Sequence, residues 1–163
     1  MNKIVLAVTV AVAGSAGAAA ALPPFTIAGK SIPDSGAQRE LVAVRVASHP
    51  TFDRIVFQFR GATPGYRVRY VPRIVQDGSG ATVPLLGSRF LAIRFAAARA
   101  HRLDGSSSGV PRVRTPRFAA IRQVKLAGDF EGVVSYGAGI AGRRAFRVFT
   151  LTRPPRMVID VRH

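Results

Sequence analysis

The chain has 163 residues, no cysteine and a formal charge of +16. That length supports one domain with a single core, and the missing thiols exclude a disulfide framework, a thiolate metal site, a cysteine nucleophile and a lipidated cysteine. Arginine supplies 21 of the cations against three lysines, a surplus that either attracts polyanions or, being dispersed along the chain, is simply solvated.

Residues 1–21 differ from the rest. Lys3 provides a basic start, IVLAVTVAVAG an apolar centre, and the small-residue run through Ala21 several A-x-A cleavage sites, so this stretch reads as a signal peptide. An uncleaved anchor is the other reading, because Ile4 to Leu22 carries no charge. Both place the domain outside the cytoplasm, and loss of Lys3 with the leader would leave +15. Export turns the expected partner from nucleic acid toward an anionic cell-wall polymer, phospholipid head groups or an envelope protein; membrane attachment is expected only through an uncleaved leader.

Leu22 to Glu40 holds Pro23, Pro24, Gly29, Pro33 and Gly36 with little periodicity, and reads as a flexible tether. From Leu41 the pattern changes to alternation. Val42, Val44 and Val46 share a face of the first strand; Ile55, Phe57 and Phe59 share a face of Arg54 to Phe59. Tyr66 to Val71 sets Tyr66, Val68 and Tyr70 against Arg67 and Arg69, one face aromatic and the other cationic. QDGSG is a turn, Ala81 to Val83 a short strand, and Arg89 to Phe95 a strand with Leu91, Ile93 and Phe95 inward. Ala96 to Arg102 suits one helical turn, and Gly105 to Pro116 a mobile loop carrying Arg112 and Arg114, with Arg117 just beyond.

Alternation resumes over Ala120 to Leu126 and Val133 to Ile140. It closes with Phe146 to Thr152 and Arg156 to Val161, separated by Pro154 and Pro155, which cannot donate to a ladder. DRIVFQF (53–59) parallels PRMVIDV (155–161), and GYRVRYV (65–71) parallels AFRVFTL (145–151). About eight strands in two related halves predict an all-β sandwich or barrel-like sandwich over residues 41–163, with little helix beyond the signal segment.

Chemistry-bearing motifs are few. GAGIAG (137–142) has the letters of a dinucleotide fingerprint, but the following RRAFRVFTLT is strand-like, so no helix N-terminus meets a phosphate; its glycines suit a bulge or turn. GSSSG (105–109) matches G-x-S-x-G, yet lies within a loop and not at a strand-to-helix elbow. His49, His101 and His163 lack the spacing of a zinc site or a triad. Asp129 and Glu131 between Gly128 and Gly132 read as a turn or as arginine partners, a glycosidase pair being the weaker reading. Arg156 and Asp160, four apart on one strand, either form a structural pair, with Arg54 and Gln58 across the halves, or leave Arg156 exposed as an anion clamp.

The closing string LTRPPRMVIDV resembles the end of AMIN domains, and more closely that of secreted AMIN-like proteins of actinobacteria. The resemblance extends through LAGDFEGVVSYGAGI (126–140), GYRVRYV (65–71) and VAVRVASHPTFDRIVFQF (42–59). It implies a small β-fold of related halves in a cell-envelope protein; AMIN domains proper are associated with recruiting enzymes or pore proteins to peptidoglycan. Combined with the residues, this predicts a non-enzymatic domain needing no cofactor and no metal, binding peptidoglycan or an anionic wall polymer. In it Arg67, Arg69, Arg143, Arg144 and Arg147 are the expected contacts to carboxylates or phosphates, and Tyr66, Tyr70 or Tyr136 a flat face for sugar rings. Pro155, Arg156 and Asp160 are expected to be structural. The alternative is an adaptor that docks an envelope enzyme or membrane complex through an open sheet edge or an apolar groove.

Overall fold

Period-two alternation dominates the chain, and the computed structural model, which describes residues 21–34 and 36–163, has eleven strands and no helix among them. These are β1 (Lys30–Ile32), β2 (Arg39–Ser48), β3 (Phe52–Arg60), β4 (Tyr66–Val71), β5 (Arg89–Phe95), β6 (Ala98–Arg99), β7 (Val113–Arg114), β8 (Ile121–Phe130), β9 (Val133–Ile140), β10 (Phe146–Thr152) and β11 (Pro155–Arg162). The expected leader lies, apart from Ala21, outside the described residues. A six-stranded sheet ordered β1-β4-β5-β9-β8-β7 packs on a five-stranded sheet ordered β10-β11-β3-β2-β6, giving the all-β sandwich. The short strand expected at Ala81 to Val83 is only an isolated bridge from Thr82 to Val75, and the eight longer strands are joined by short edge pieces, β1, β6 and β7, that lack any alternation long enough to read.

The inward faces are those the alternation assigns. Ile55, Phe57 and Phe59 meet Leu91, Ile93 and Phe95 across the core, where they are fully or almost fully buried. Phe57 stands edge-on to both Phe95 and Tyr136, at 5.0 and 5.1 Å between ring centroids. In β2 the expected phase slips. A bulge between Leu41 and Ala43 makes Leu41, with Val44, the buried residue, and leaves Val42 off the inward row. An extra residue in one strand shifts every side chain beyond it, which an even count cannot anticipate.

The repeated segments occupy unequal places. DRIVFQF and PRMVIDV are neighbours, β3 and β11, paired antiparallel with Ile55 opposite Ile159, whereas GYRVRYV and AFRVFTL fall in different sheets as β4 and β10. The helical turn expected near Ala96 is instead the strand β6, which runs parallel to β2, with Ala97 at φ 47°. The loop from Gly105 carries β7, paired with β8 through Val113 and Arg114. Pro155 opens β11 opposite Thr152, so the separating pair is Arg153 and Pro154, whose peptide is cis.

The largest departure from the expected tether is at residues 22–34, which form a strap laid across one open side of the sandwich, while Arg39 and Glu40 already belong to β2. Thr26 exchanges backbone hydrogen bonds of 2.9 and 2.8 Å with Phe146 on the edge strand of one sheet. Four residues later β1 pairs with β4, toward the edge of the other. Prolines and glycines broke the periodicity, but satisfying two unpaired sheet edges needs only backbone groups.

The outer face of the six-stranded sheet is covered by the segment between β4 and β5. Ile74 and Leu85 lie over Gly137, where an added Cβ would come within 2.7 and 2.8 Å of them, and the Leu86 carbonyl sits on Gly139. Gly137 and Gly139 of GAGIAG therefore belong to β9, where they admit this covering segment, while Gly142 lies in the bend before β10, as a turn reading expects. Gly139→Ala should place its methyl on the Leu86 carbonyl and cost about 3 kcal/mol, read as a lower urea midpoint with an unchanged slope.

Candidate functional site

With Tyr66, Val68 and Tyr70 turned into the core, Arg67 and Arg69 must project from the outer face of β4, and both are exposed. The antiparallel register sets Arg67 directly opposite Arg94 of β5, and Arg69 opposite Ala92. Directly opposed residues of one face hold their Cβ atoms only about 5 Å apart, and like charges there repel. Arg94 has Asp77 at 3.8 Å, while among the described residues Arg67 and Arg69 have no carboxylate within ion-pair distance.

These side chains line a groove of about 540 Å³. Arg67, Arg69, Arg73 and Arg94 supply its cations, Ala92 and Ser135 its small residues, and Pro72, Ile74 and Val75 an apolar wall; Asp77 is its acid. Asp77 is braced by its own N–H, which donates to the Ala127 carbonyl at 3.4 Å, and lies over the Cα of Gly128. Its Oδ2 is buried without a hydrogen-bond partner. A second concavity of about 390 Å³ continues past Arg67 and Arg69 to Lys30 of β1.

Of the expected site residues, Arg67 and Arg69 come together in the groove; Tyr136 borders it as well, but its ring is buried in the core against Phe57. Arg73, Asp77 and Arg94 were missed. Arg94 was legible in principle, since it takes the outward phase of a strand whose Leu91, Ile93 and Phe95 point in; its partnership with Arg67 depends on register. Arg143 and Arg144 lie in the turn before β10, Arg143 exposed and Arg144 half-buried. Arg147 is withdrawn from any ligand: its Nε donates to Asp160 Oδ2 at 2.8 Å, and its guanidinium lies 4.5 Å from the Phe25 ring centre.

The tyrosines offer no flat face. Tyr136 and Tyr66 are core residues. Burial pushes the Tyr136 phenol far up, the Asp129 charge adding to this and Arg112 opposing it; burial raises Tyr66 also. The Tyr70 hydroxyl donates to the Arg144 carbonyl at 2.7 Å and accepts from its N–H at 3.1 Å. Burial raises its pKa, against the lowering effect of that hydrogen bond and of the Arg143 and Arg144 charges.

The remaining polar motifs are internal braces. Asp160 is fully buried and gripped by Arg54, whose Nε and Nη2 donate at 2.6 and 2.9 Å, as well as by Arg147. Arg54, opposite Asp160 in the register, is the cross-half partner expected. Arg156 does not pair with Asp160; it faces Gln58 and donates to the carbonyls of Pro154 and Arg153. Asp129 accepts from the Ala100 N–H at 3.1 Å and meets His101 Nδ1 at 2.8 Å, while Glu131 is exposed in the turn at φ 47°.

The three histidines have separate neighbours, His49 stacked on Phe52, His101 on Asp129 and His163 on Asp53. In GSSSG, Ser106 bonds Asp104 and Ser108 donates to the Ala100 carbonyl, within a loop. Among the described residues, no three His, Asp or Glu side chains gather as metal ligands would.

Chemically, the groove can take an acid group between guanidinium forks. No curated protein and no solved structure matches the chain. A two-sheet β-sandwich that ends in the hairpin LTRPPRMVIDV, with Asp160 locked beneath two arginines, agrees with a match to the AMIN-like domain over residues 39–163, and the chain belongs to that family.

Proposed function

We propose that the chain is an exported, non-catalytic envelope protein whose domain holds peptidoglycan or an anionic wall polymer in the arginine groove. AMIN-like domains are envelope-associated binding domains, and the leader read in residues 1–21 would deliver the domain there. The observation that carries the reading is the opposed pair Arg67 and Arg94. An anion seated between them turns a repulsion into two charge-assisted contacts. The adaptor reading has less support, since the exposed apolar side chains are scattered: Ile32, Leu103 and Leu151 lie on separate segments, and among the described residues only Val113 and Phe130 share a concavity.

The test is sedimentation with insoluble wall material over a range of salt. The wild type should co-sediment at about 0.05 M salt and release as the Debye length falls to about 3 Å near 1 M. Reversing both groove charges, Arg67→Glu with Arg94→Glu, should weaken binding at least about tenfold, with electrostatic contacts of about 1 kcal/mol or more each. Arg114→Glu, exposed on β7, should change it little. Binding that survives high salt, or survives the double reversal, would refute the reading.

A further inference from the structure

The groove's cations are only part of its chemistry. Asp77 lines it together with the four arginines. One of its oxygens has no hydrogen-bond partner, and the other is 3.8 Å from Arg94, too far for a good hydrogen bond. A carboxylate can accept about four hydrogen bonds, and leaving a buried acceptor empty is costly. Oδ2 is packed against Gly128 and closed to a ligand, so the oxygen that a ligand in the groove can reach is Oδ1, on a side chain that is 21% exposed.

We infer that the groove selects a zwitterion, seating an acid group between Arg67 and Arg94 and a primary ammonium on Asp77. This rests on the anion-binding reading above and narrows it. The apolar wall of Pro72, Ile74 and Val75 accommodates the aliphatic stem that joins the two charges. Within an envelope, two materials offer that combination: peptides with a free side-chain amine beside a carboxylate, and polyol phosphates carrying aminoacyl esters.

Calorimetry at low salt separates them with matched probes: a soluble muropeptide with its amine free or N-acetylated, and poly(glycerol phosphate) with or without alanyl esters. In at least one pair, removing the ammonium should weaken wild-type binding about tenfold, the value of one charge-assisted contact. Asp77→Asn, which keeps the shape over Gly128, should abolish that difference and leave the amine-free probe bound within about twofold of wild type. The pair that shows the effect identifies the source.

Equal affinity within both pairs would overturn the inference while leaving the anion reading intact, provided the Arg67/Arg94 reversal still abolishes binding. A preference for the amine that persists in Asp77→Asn would overturn it as well. If no probe binds the wild type, the anion reading fails and the inference with it. The wild-type comparison needs no variant, so an unfolded Asp77→Asn would not rescue the idea.

Discussion

Asp160→Ala should cost the domain about 4 kcal/mol, the effect of removing one partner from a buried ion pair, against a total stability of about 5–15 kcal/mol for a domain of this kind. The side chain is 0% exposed, and those of Arg54 and Arg147 are 26% and 14% exposed. Removing the carboxylate leaves two guanidiniums without a counter-charge. They cannot simply turn to water, because Arg54 lies over the rings of Phe52 and Phe149 and Arg147 over that of Phe25.

The register explains why one residue matters so much. Asp160 of β11 stands opposite Arg54 of β3 on one side and Arg147 of β10 on the other, so it ties three adjacent strands at one level. Through Phe25 it also holds the strap. The expected fall in melting temperature is roughly 8–16 °C. Asp160→Asn should recover little, since it keeps the shape but not the charge. A loss below about 1 kcal/mol in urea titration would show that the pair is neutral to stability, as some buried pairs are.

What could be read in the sequence follows from the range of the forces involved. Alternation over five or more residues is local, and it assigned the buried faces of Arg54 to Phe59, Tyr66 to Val71 and Arg89 to Phe95. The expected structural role of Asp160 followed from the cost of burying a charge. Register is not local. Nothing within β4 or β5 says that Arg67 will face Arg94, and so the expected site mixed two groove arginines with Arg147, which is spent on Asp160.

Tyrosines failed as ligand-binding candidates for a related reason. The alternation that exposed Arg67 and Arg69 required Tyr66 and Tyr70 to point inward, so the two groups could not serve one surface. The strap was illegible because backbone pairing of a few residues needs no apolar pattern. It also lies before the family match, which starts at residue 39, and Lys30 within it extends the cationic track.

Asp53→Asn should remove about 3 kcal/mol at neutral pH, with an effect that shrinks in acid. The Asp53 carboxylate is buried where β3 meets the start of β8 in the opposite sheet. It accepts from the N–H groups of Ala120 and Ile121 at 2.7 and 3.0 Å and from the Ser48 hydroxyl at 2.7 Å, with His163 Nε2 at 3.0 Å. Burial pushes this carboxyl up, but the hydrogen bonds from His163, Ile121, Ser48 and Ala120 together outweigh it and hold it below the ordinary 3.8. The unfolded chain therefore takes up the proton more readily than the folded one. Stability from this group is complete above the unfolded value and lost as pH falls through the lower folded value. Since charge-assisted hydrogen bonds are worth about 1.5–3 kcal/mol each, the wild type should exceed Asp53→Asn by about 3 kcal/mol at pH 7. The gap should narrow as the pH falls below 3.8 and through the lower folded value, where both side chains become neutral. Urea titrations of both proteins from pH 7 to pH 2 decide it: a gap that stays constant across the range would mean that shape, and not charge, is what Asp53 contributes to joining the sheets.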